Sequence, residues 1–253
     1  MDLVQSIDRA LTILEVLSNY NDGLGVTEIS QEVGLHKSTV YRLLSTLIYK
    51  DYVVQDMETN KYKITLKLFE LGSRKVEGMD LLTASQTFTR QLMEVVNEVV
   101  HLVVRDGNEI VYIDKVEANN TIRMASTIGK RGPMYSTATG KAILANMPVD
   151  QCMDILNNSN IEVRTENTIT DINTLKNQLI EIKNIGYAID DEENEPGVRC
   201  VGAPIFNRHG EVEGAISVSG PSNRVTEEKV QAIASEVMKC ALQISKEIGF
   251  RKR

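Results

Sequence analysis

Cysteine, histidine, positive charge and long apolar runs are all scarce in this 253-residue chain, and each scarcity removes a class of protein. The three cysteines, Cys152, Cys200 and Cys240, stand far apart with no CxxC spacing. An odd and dispersed set suits neither a disulfide framework nor a zinc ribbon, so reduced thiols in a reducing compartment are expected. No stretch approaches the roughly 18 apolar residues of a membrane span, and residues 1–6 carry neither the basic segment nor the apolar core of a secretion signal. A cytoplasmic protein with no membrane partner is the expectation. Lys plus Arg number 28 against 35 Asp plus Glu, a net charge of −7, which argues against a protein that coats nucleic acid nonspecifically. A local basic surface is still permitted. Neither an internal repeat nor a low-complexity tract is present.

What is there is ordinary globular composition, 42% hydrophobic and 25% charged, on a length that accommodates two domains. Residues 1 to about 75 are dense in helical periodicity. In SIDRALTILEVLSNY, Ile7, Leu11, Leu14 and Leu17, with Ala10 and Ile13 beside them, recur at three- and four-residue steps and predict a core-facing stripe, ended by Asn21-Asp22-Gly23. Two short helices broken at Gly34 follow, then a hairpin turning at Glu58-Thr59-Asn60. That order is a winged helix-turn-helix. From 66 to 98 the pattern is again helical (Leu66, Phe69, Leu81, Leu82), with a break at Gly78, and reads as a linker and dimerisation segment. Beyond it come a hairpin at Asp106-Gly107, a strand TIRMAST and a loop GKRGPMY. Helices near 138–147, 149–157 and 171–185 precede a second hairpin at His209-Gly210, and a last helix is capped by Thr226. Helices flanking an antiparallel sheet define an α+β second domain. The expected division is 1–65, 66–98 and 99–253.

The segment VTEISQEVGLHKSTVYRLLS carries its apolar residues at Val26, Ile29, Val33, Leu35, Val40, Leu43 and Leu44, with Gly34 in the turn. The outer face of its second helix is left with His36, Lys37, Ser38, Thr39, Tyr41 and Arg42. From 36 to 50 there are three Lys or Arg and no acidic residue, although residues 1–77 as a whole hold nine basic against eleven acidic residues. Positive charge is concentrated where a major groove would lie. Ser38 and Thr39 suit phosphates or base edges, Arg42 forks onto guanine, Lys37 suits a phosphate, and Thr27, Tyr41 and the wing residue Lys61, with Lys63, complete a double-stranded DNA interface. Such tri-helical units also serve as protein-binding modules, and charge runs also occur as solvated faces.

In the second domain, YAIDDEENEPGVRC places four acidic residues, Asp190 to Glu193, before a Pro-Gly turn and a cysteine. The run lacks the alternating ligand order of a calcium loop, so no metal is expected. A nucleophilic Cys200 would need a base or an electropositive setting. Of three histidines, His36 and His209 lie in the reading helix and a hairpin turn, and only His101, on a strand, could reach a pocket. Arg199 adjoins Cys200 but points to the opposite face of its strand. Ser217 and Ser219 alternate and share a face, as two hydroxyls that orient a small polar ligand would. Asp190 is expected to turn inward, and Asp191, Glu192 and Glu193 to lie at the surface or pair with Arg or Lys. GKRGPMY is either a plain turn or a flap walled by Met134 or Tyr135, and Cys152 and Cys240 read as small core residues.

Taken together, RALTILEVL, TEISQEVGLHKSTVYRLLSTL, YKITLKLFELG, STATGKAILA, GYAIDDEENEPGVRCVGAPIFNRHGEVEGAISVSGPSNRV and the closing helix resemble the IclR family of bacterial transcription regulators nearly end to end. The resemblance implies a winged helix-turn-helix, a linker helix and a GAF-like effector-binding domain. It also implies dimers or dimers of dimers on palindromic operators near catabolic genes, usually as repressors. By motif it carries over a small-acid site comprising Ala138, Thr139, Asp190, Cys200, Ser217 and Ser219, with no cofactor. Where a glyoxylate-binding relative has Gly-Ala, this chain has Ala138-Thr139, bulkier and with an extra hydroxyl, which favours a hydroxylated acid such as a sugar acid over a two-carbon ligand. A second domain serving only for oligomerisation or protein interaction is the alternative, and a Cys200-dependent enzyme a more remote one.

Overall fold

The computed structural model describes residues 3–77, 80–120 and 126–251. The chain divides into two compact units, residues 1–78 and 79–253. The expected helix break at Gly78 and most of the expected strand TIRMAST, residues 121–125, lie outside the described residues.

The first unit runs α1 (Gln5–Ser18), α2 (Val26–Glu32), α3 (Lys37–Tyr49), β1 (Val53–Gln55), β2 (Tyr62–Ile64) and α4 (Lys67–Glu77). Its core is Ile13, Leu14 and Leu17 of α1 with Leu24, Ile29, Val40, Leu44, Leu47, Val53 and Tyr62. Gly34, at φ +63°, supplies the left-handed turn between α2 and α3 that a side-chain-bearing residue rarely adopts. β1 and β2 pair antiparallel, with Val53 opposite Ile64. The turn between them is held by the Asp56 carboxylate, whose Oδ1 accepts the Glu58 and Thr59 amides. The stripe expected along α1 is only half correct. Ile7 and Leu11 are 59% and 54% exposed. They sit roughly 100° round the helix from the Ala10–Ile13–Leu17 line that meets the core. Apolar residues thus mark two faces of α1, and periodicity merged them.

The second unit contains α5 (Asp80–Val96), β3 (Val99–Asp106), β4 (Glu109–Val116), β5 (Arg131–Pro133), α6 (Ala138–Asn146), α7 (Val149–Asn158), α8 (Ile172–Ile185), β6 (Ala188–Asp191), β7 (Val198–Phe206), β8 (Val212–Pro221) and α9 (Glu227–Glu247). The strands form one antiparallel sheet in the order β5-β4-β3-β8-β7-β6. Alternation sorts its side chains into two cores. Val100, Leu102, Val201, Ala203, Ile216 and Val218 pack with α5 and α9. Val103, Ile110 and Ala215 pack on the other face with α6, α7 and α8.

The segment 66–98, expected as one linker, is divided. α4 belongs to the first unit and α5 to the second. Leu81, Ser85, Thr89 and Leu92 of α5 are buried at helical spacing, which makes α5 a layer of the second unit instead of a free connector.

Candidate functional site

Two surfaces carry chemistry, one in each unit. In the first, α3 begins at Lys37 with no acidic residue in its first turn. His36, Lys37, Ser38, Tyr41 and Arg42 are exposed and Thr39 is half-buried, while Val40, Leu44 and Leu47 face inward. Among the described residues Lys37 and Arg42 form no ion pair, so both cations are available to a ligand. The free amides of the first turn add the positive end of the helix dipole. Thr27 is exposed in the first turn of α2. On the hairpin, Lys61 is half-buried, and Lys63 is held by Asp56 at 3.6 Å.

In the second unit a cavity of about 270 Å³ opens over the sheet face that carries α6. Two cross-strand rows make its floor. Asp190 of β6 is opposite Cys200 of β7, and Cys200 opposite Ser219 of β8. One step along, Gly202 pairs with Ser217, and Ser217 with His101 of β3. Ala138 and Thr139 enter from the N-terminus of α6. All six residues singled out for a small ligand therefore line one cavity.

The helix end is built for close approach. Thr137 caps α6 by accepting the Gly140 amide at 3.2 Å, and its own hydroxyl donates to the Pro133 carbonyl at 2.6 Å. A Cβ on Gly202 would stand 3.0 Å from the Ala138 carbonyl carbon and 3.1 Å from the Thr139 nitrogen, so glycine there lets the first turn of α6 rest on β7. Among the described residues neither the Ala138 nor the Thr139 amide donates to a backbone carbonyl. Two unspent N–H groups at a helix N-terminus are a ready-made anion site.

The wall around His101 and Cys200 is hydroxyl-rich, and both of these side chains are held uncharged. His101 Nε2 lies 2.7 Å from Ser126 Oγ and Nδ1 3.2 Å from Ser219 Oγ, with Ser217 Oγ 3.4 Å further on. Burial, aided by the Lys115 cation, lowers the imidazole to about 3, so it is neutral. The Tyr112 ring meets it edge-on at 5.0 Å. Burial, with Asp190 nearby, pushes the Cys200 thiol well above its ordinary range, which keeps it protonated. That shift is opposite to what a nucleophilic cysteine requires.

Asp190 turns inward and is raised to about 7, chiefly by burial. Its Oδ1 accepts the Glu193 amide at 2.9 Å and the Asn194 amide at 3.2 Å. Asp191 pairs with Arg199 at 2.6 Å, on the opposite side of the strand from Cys200, and Glu192 accepts the Gly197 amide at 2.7 Å. Glu193, expected at the surface or paired with Arg or Lys, is paired but buried, with the fully buried Lys141 of α6 as its partner. Its partner lies 52 residues away in sequence, so no local pattern announces it.

Lys130, Arg131, Gly132 and Pro133 reach the cavity, but Met134 and Tyr135 do not wall it. Both belong to the core under α6, and the Tyr135 hydroxyl accepts the Glu162 amide at 3.0 Å. Strand β5 ends at Pro133, so neither residue belongs to the strand that borders the opening. Arg131 is occupied by Asp106 and Glu109, and Arg164 donates to the Asn194 carbonyl at 3.3 Å. Tyr112, Ser126, Arg164 and Asn194 are cavity residues that pattern reading missed. A register shift at Leu102/Val103 breaks the alternation that would have placed Tyr112, and Ser126, Arg164 and Asn194 lie on irregular segments. No group of three or more His, Cys, Asp or Glu among the described residues is placed to hold a metal, and no described helix is long and apolar enough to cross a membrane.

Comparison with known proteins places a family model on each unit. Residues 6–57 match the family model for the IclR helix-turn-helix domain, and residues 73–246 that for the bacterial transcriptional regulator IclR C-terminal domain. The chain is 39% identical to the HTH-type transcriptional regulator KdgR of Escherichia coli, over 98% of this chain and 94% of that protein. It is 32% identical to the HTH-type transcriptional repressor AllR of Escherichia coli, over 98% of this chain and 91% of that one. The crystal structure of Thermotoga maritima IclR superposes with a TM-score of 0.85 at 33% identity, covering 98% of this chain and all of that one.

Proposed function

The chain belongs to the IclR family of bacterial transcriptional regulators, and we propose that it represses a catabolic operon through an operator affinity set by a small organic acid. The observation that carries this reading is the cavity. It unites the two free amides of α6 with a wall of hydroxyls in a volume of about 270 Å³, at the lower limit of drug-sized sites and suited to a metabolite. The acid's carboxylate would sit at Ala138 and Thr139, and its hydroxyls would be read by Ser217, Ser219, Thr139 and Asp190, with Cys200 completing the floor. A hydroxylated acid such as a sugar acid fits this polarity better than a bare two-carbon acid, which would leave the hydroxyl wall unmatched.

On the DNA side, Arg42 would read a base, Lys37, Ser38 and Thr39 would hold phosphates, and Thr27, Tyr41 and Lys61 would flank them. A palindromic operator requires paired reading heads. Exposed apolar side chains on α1 and α4, Phe69 at 73% among them, support a homodimer or dimer of dimers. A relative named as a repressor supports the sign of regulation. The raised Cys200 thiol supports a binding role over a catalytic one, and a reducing, cytoplasmic setting suits its three free cysteines.

Ligand can act only through different affinities for the operator-competent and incompetent states. The test is a thermal-shift panel of keto, hydroxy and aromatic acids followed by gel shifts with the chain's own upstream DNA. A hydroxy acid should both raise the melting temperature and displace the operator. Normal operator binding with no acid active in either assay would instead favour an oligomerisation module.

A further inference from the structure

The cavity pairs an anion site with a carboxyl group, and the geometry decides how the two coexist. Asp190 is 3% exposed. One oxygen is already engaged by the Glu193 and Asn194 amides, while the other accepts no hydrogen bond among the described residues in the cavity that Ala138 and Thr139 also line. An ionised Asp190 would place a second negative charge in the same small enclosure as a bound carboxylate, away from water. Resting on the effector reading above, we infer that Asp190 enters the effector complex as the neutral acid and donates a hydrogen bond from its free oxygen to the ligand, so that effector binding takes up one proton. The proton comes from solvent, and no covalent bond of the ligand changes.

The surroundings agree. Burial already raises the carboxyl to about 7, against the opposing pull of Lys141 and of its two backbone donors. Lys141 is committed to Glu193, so its charge does not serve the ligand. The other titratable groups facing Asp190 hold one state through the neutral range: His101 is lowered to about 3, and the Cys200 thiol and Tyr112 phenol are both raised by burial. Glu195, Arg164 and Lys130 stand at the exposed rim, where water screens them. Glu193, a buried carboxyl whose amide Asp190 holds, is raised by burial too, so it needs its own control.

The test is calorimetric titration of the full chain with D-glycerate and D-gluconate, in buffers of different ionisation enthalpy. Affinity should fall roughly 30-fold between about pH 6 and pH 8.5, with close to one proton taken up per ligand near pH 8. Asp190→Asn, which presents an N–H donor at every pH, should bind with a flat pH profile and no proton uptake, whereas Glu193→Gln should keep the slope. A wild-type affinity that is flat or rises with pH overturns the inference while leaving the effector reading intact, as does an Asp190→Asn protein that retains the slope. If neither acid binds at any pH, the hydroxy-acid reading and this inference fall together.

Discussion

The reading helix and the effector cavity use polar chemistry in opposite ways. On α3, Lys37 and Arg42 stand in water with no partner among the described residues, and the helix dipole adds to them. In the buried part of the cavity charge is suppressed, as in His101 and Asp190, and the nearby buried Lys141 is paired with Glu193. The first arrangement acts at a distance and weakens as ionic strength rises. The second acts only on contact, where an unmatched polar group is costly and shape decides. A regulator that binds DNA and responds to a small molecule gains from keeping the two in separate units.

The largest expected effect lies in the buried pair. Lys141→Met should lower the stability of the second unit by about 3–5 kcal/mol, because it leaves Glu193 buried without its partner. Lys141→Met with Glu193→Leu should recover most of that loss in urea denaturation. An equal loss in both would mean that the pair's charges are not what matters there.

Next is the carboxyl at the cavity. Its folded-state value near 7 lies above the unfolded one, so the native state holds the proton more tightly and stability declines as pH rises between the two values. This group should cost roughly 2–3 kcal/mol between about pH 5 and 7.5. Asp190→Asn should remove that part of the decline, and a parallel pH dependence in the variant would place it elsewhere.

Smaller effects are expected on α3, where solvent dilutes each charge. Arg42→Ala should cost roughly 1–3 kcal/mol of operator affinity and relax preference at one base position in gel shifts. Lys37→Ala should weaken all sequences alike and reduce the slope of log affinity against log salt by about 0.9. Acid binding should show a far shallower salt slope. Equal slopes for the two ligands would erase the contrast.

What was legible in the sequence was local. Gly34, the wing turn and both hairpins of the second unit follow from turn residues within a few positions, and Ser217 and Ser219 share a face because strands alternate. What was not legible depended on distant partners. The apolar periodicity of α1 carries two faces, one for the core and one for the outside, and only packing against α2 and α3 separates them. Glu193 reads as one of three acids that are solvated or paired, and only the fold buries it and names Lys141 as its partner. Met134 and Tyr135 could have closed the cavity, and packing with α6, α7 and α8 takes them into the core. The contribution of Tyr112 required a register shift that composition does not mark.

Whether the occupied cavity alters the reading helix is measured most directly by operator affinity, read by fluorescence anisotropy with and without a saturating hydroxy acid. The expected result is a 5- to 150-fold loss of operator affinity, roughly 1–3 kcal/mol of coupling, with an equal loss of acid affinity when operator is present. Gly202→Val, which crowds the N-terminus of α6, should abolish the response while leaving acid-free operator binding in place. An acid that binds by calorimetry yet leaves operator affinity unchanged would contradict the coupling of cavity to DNA.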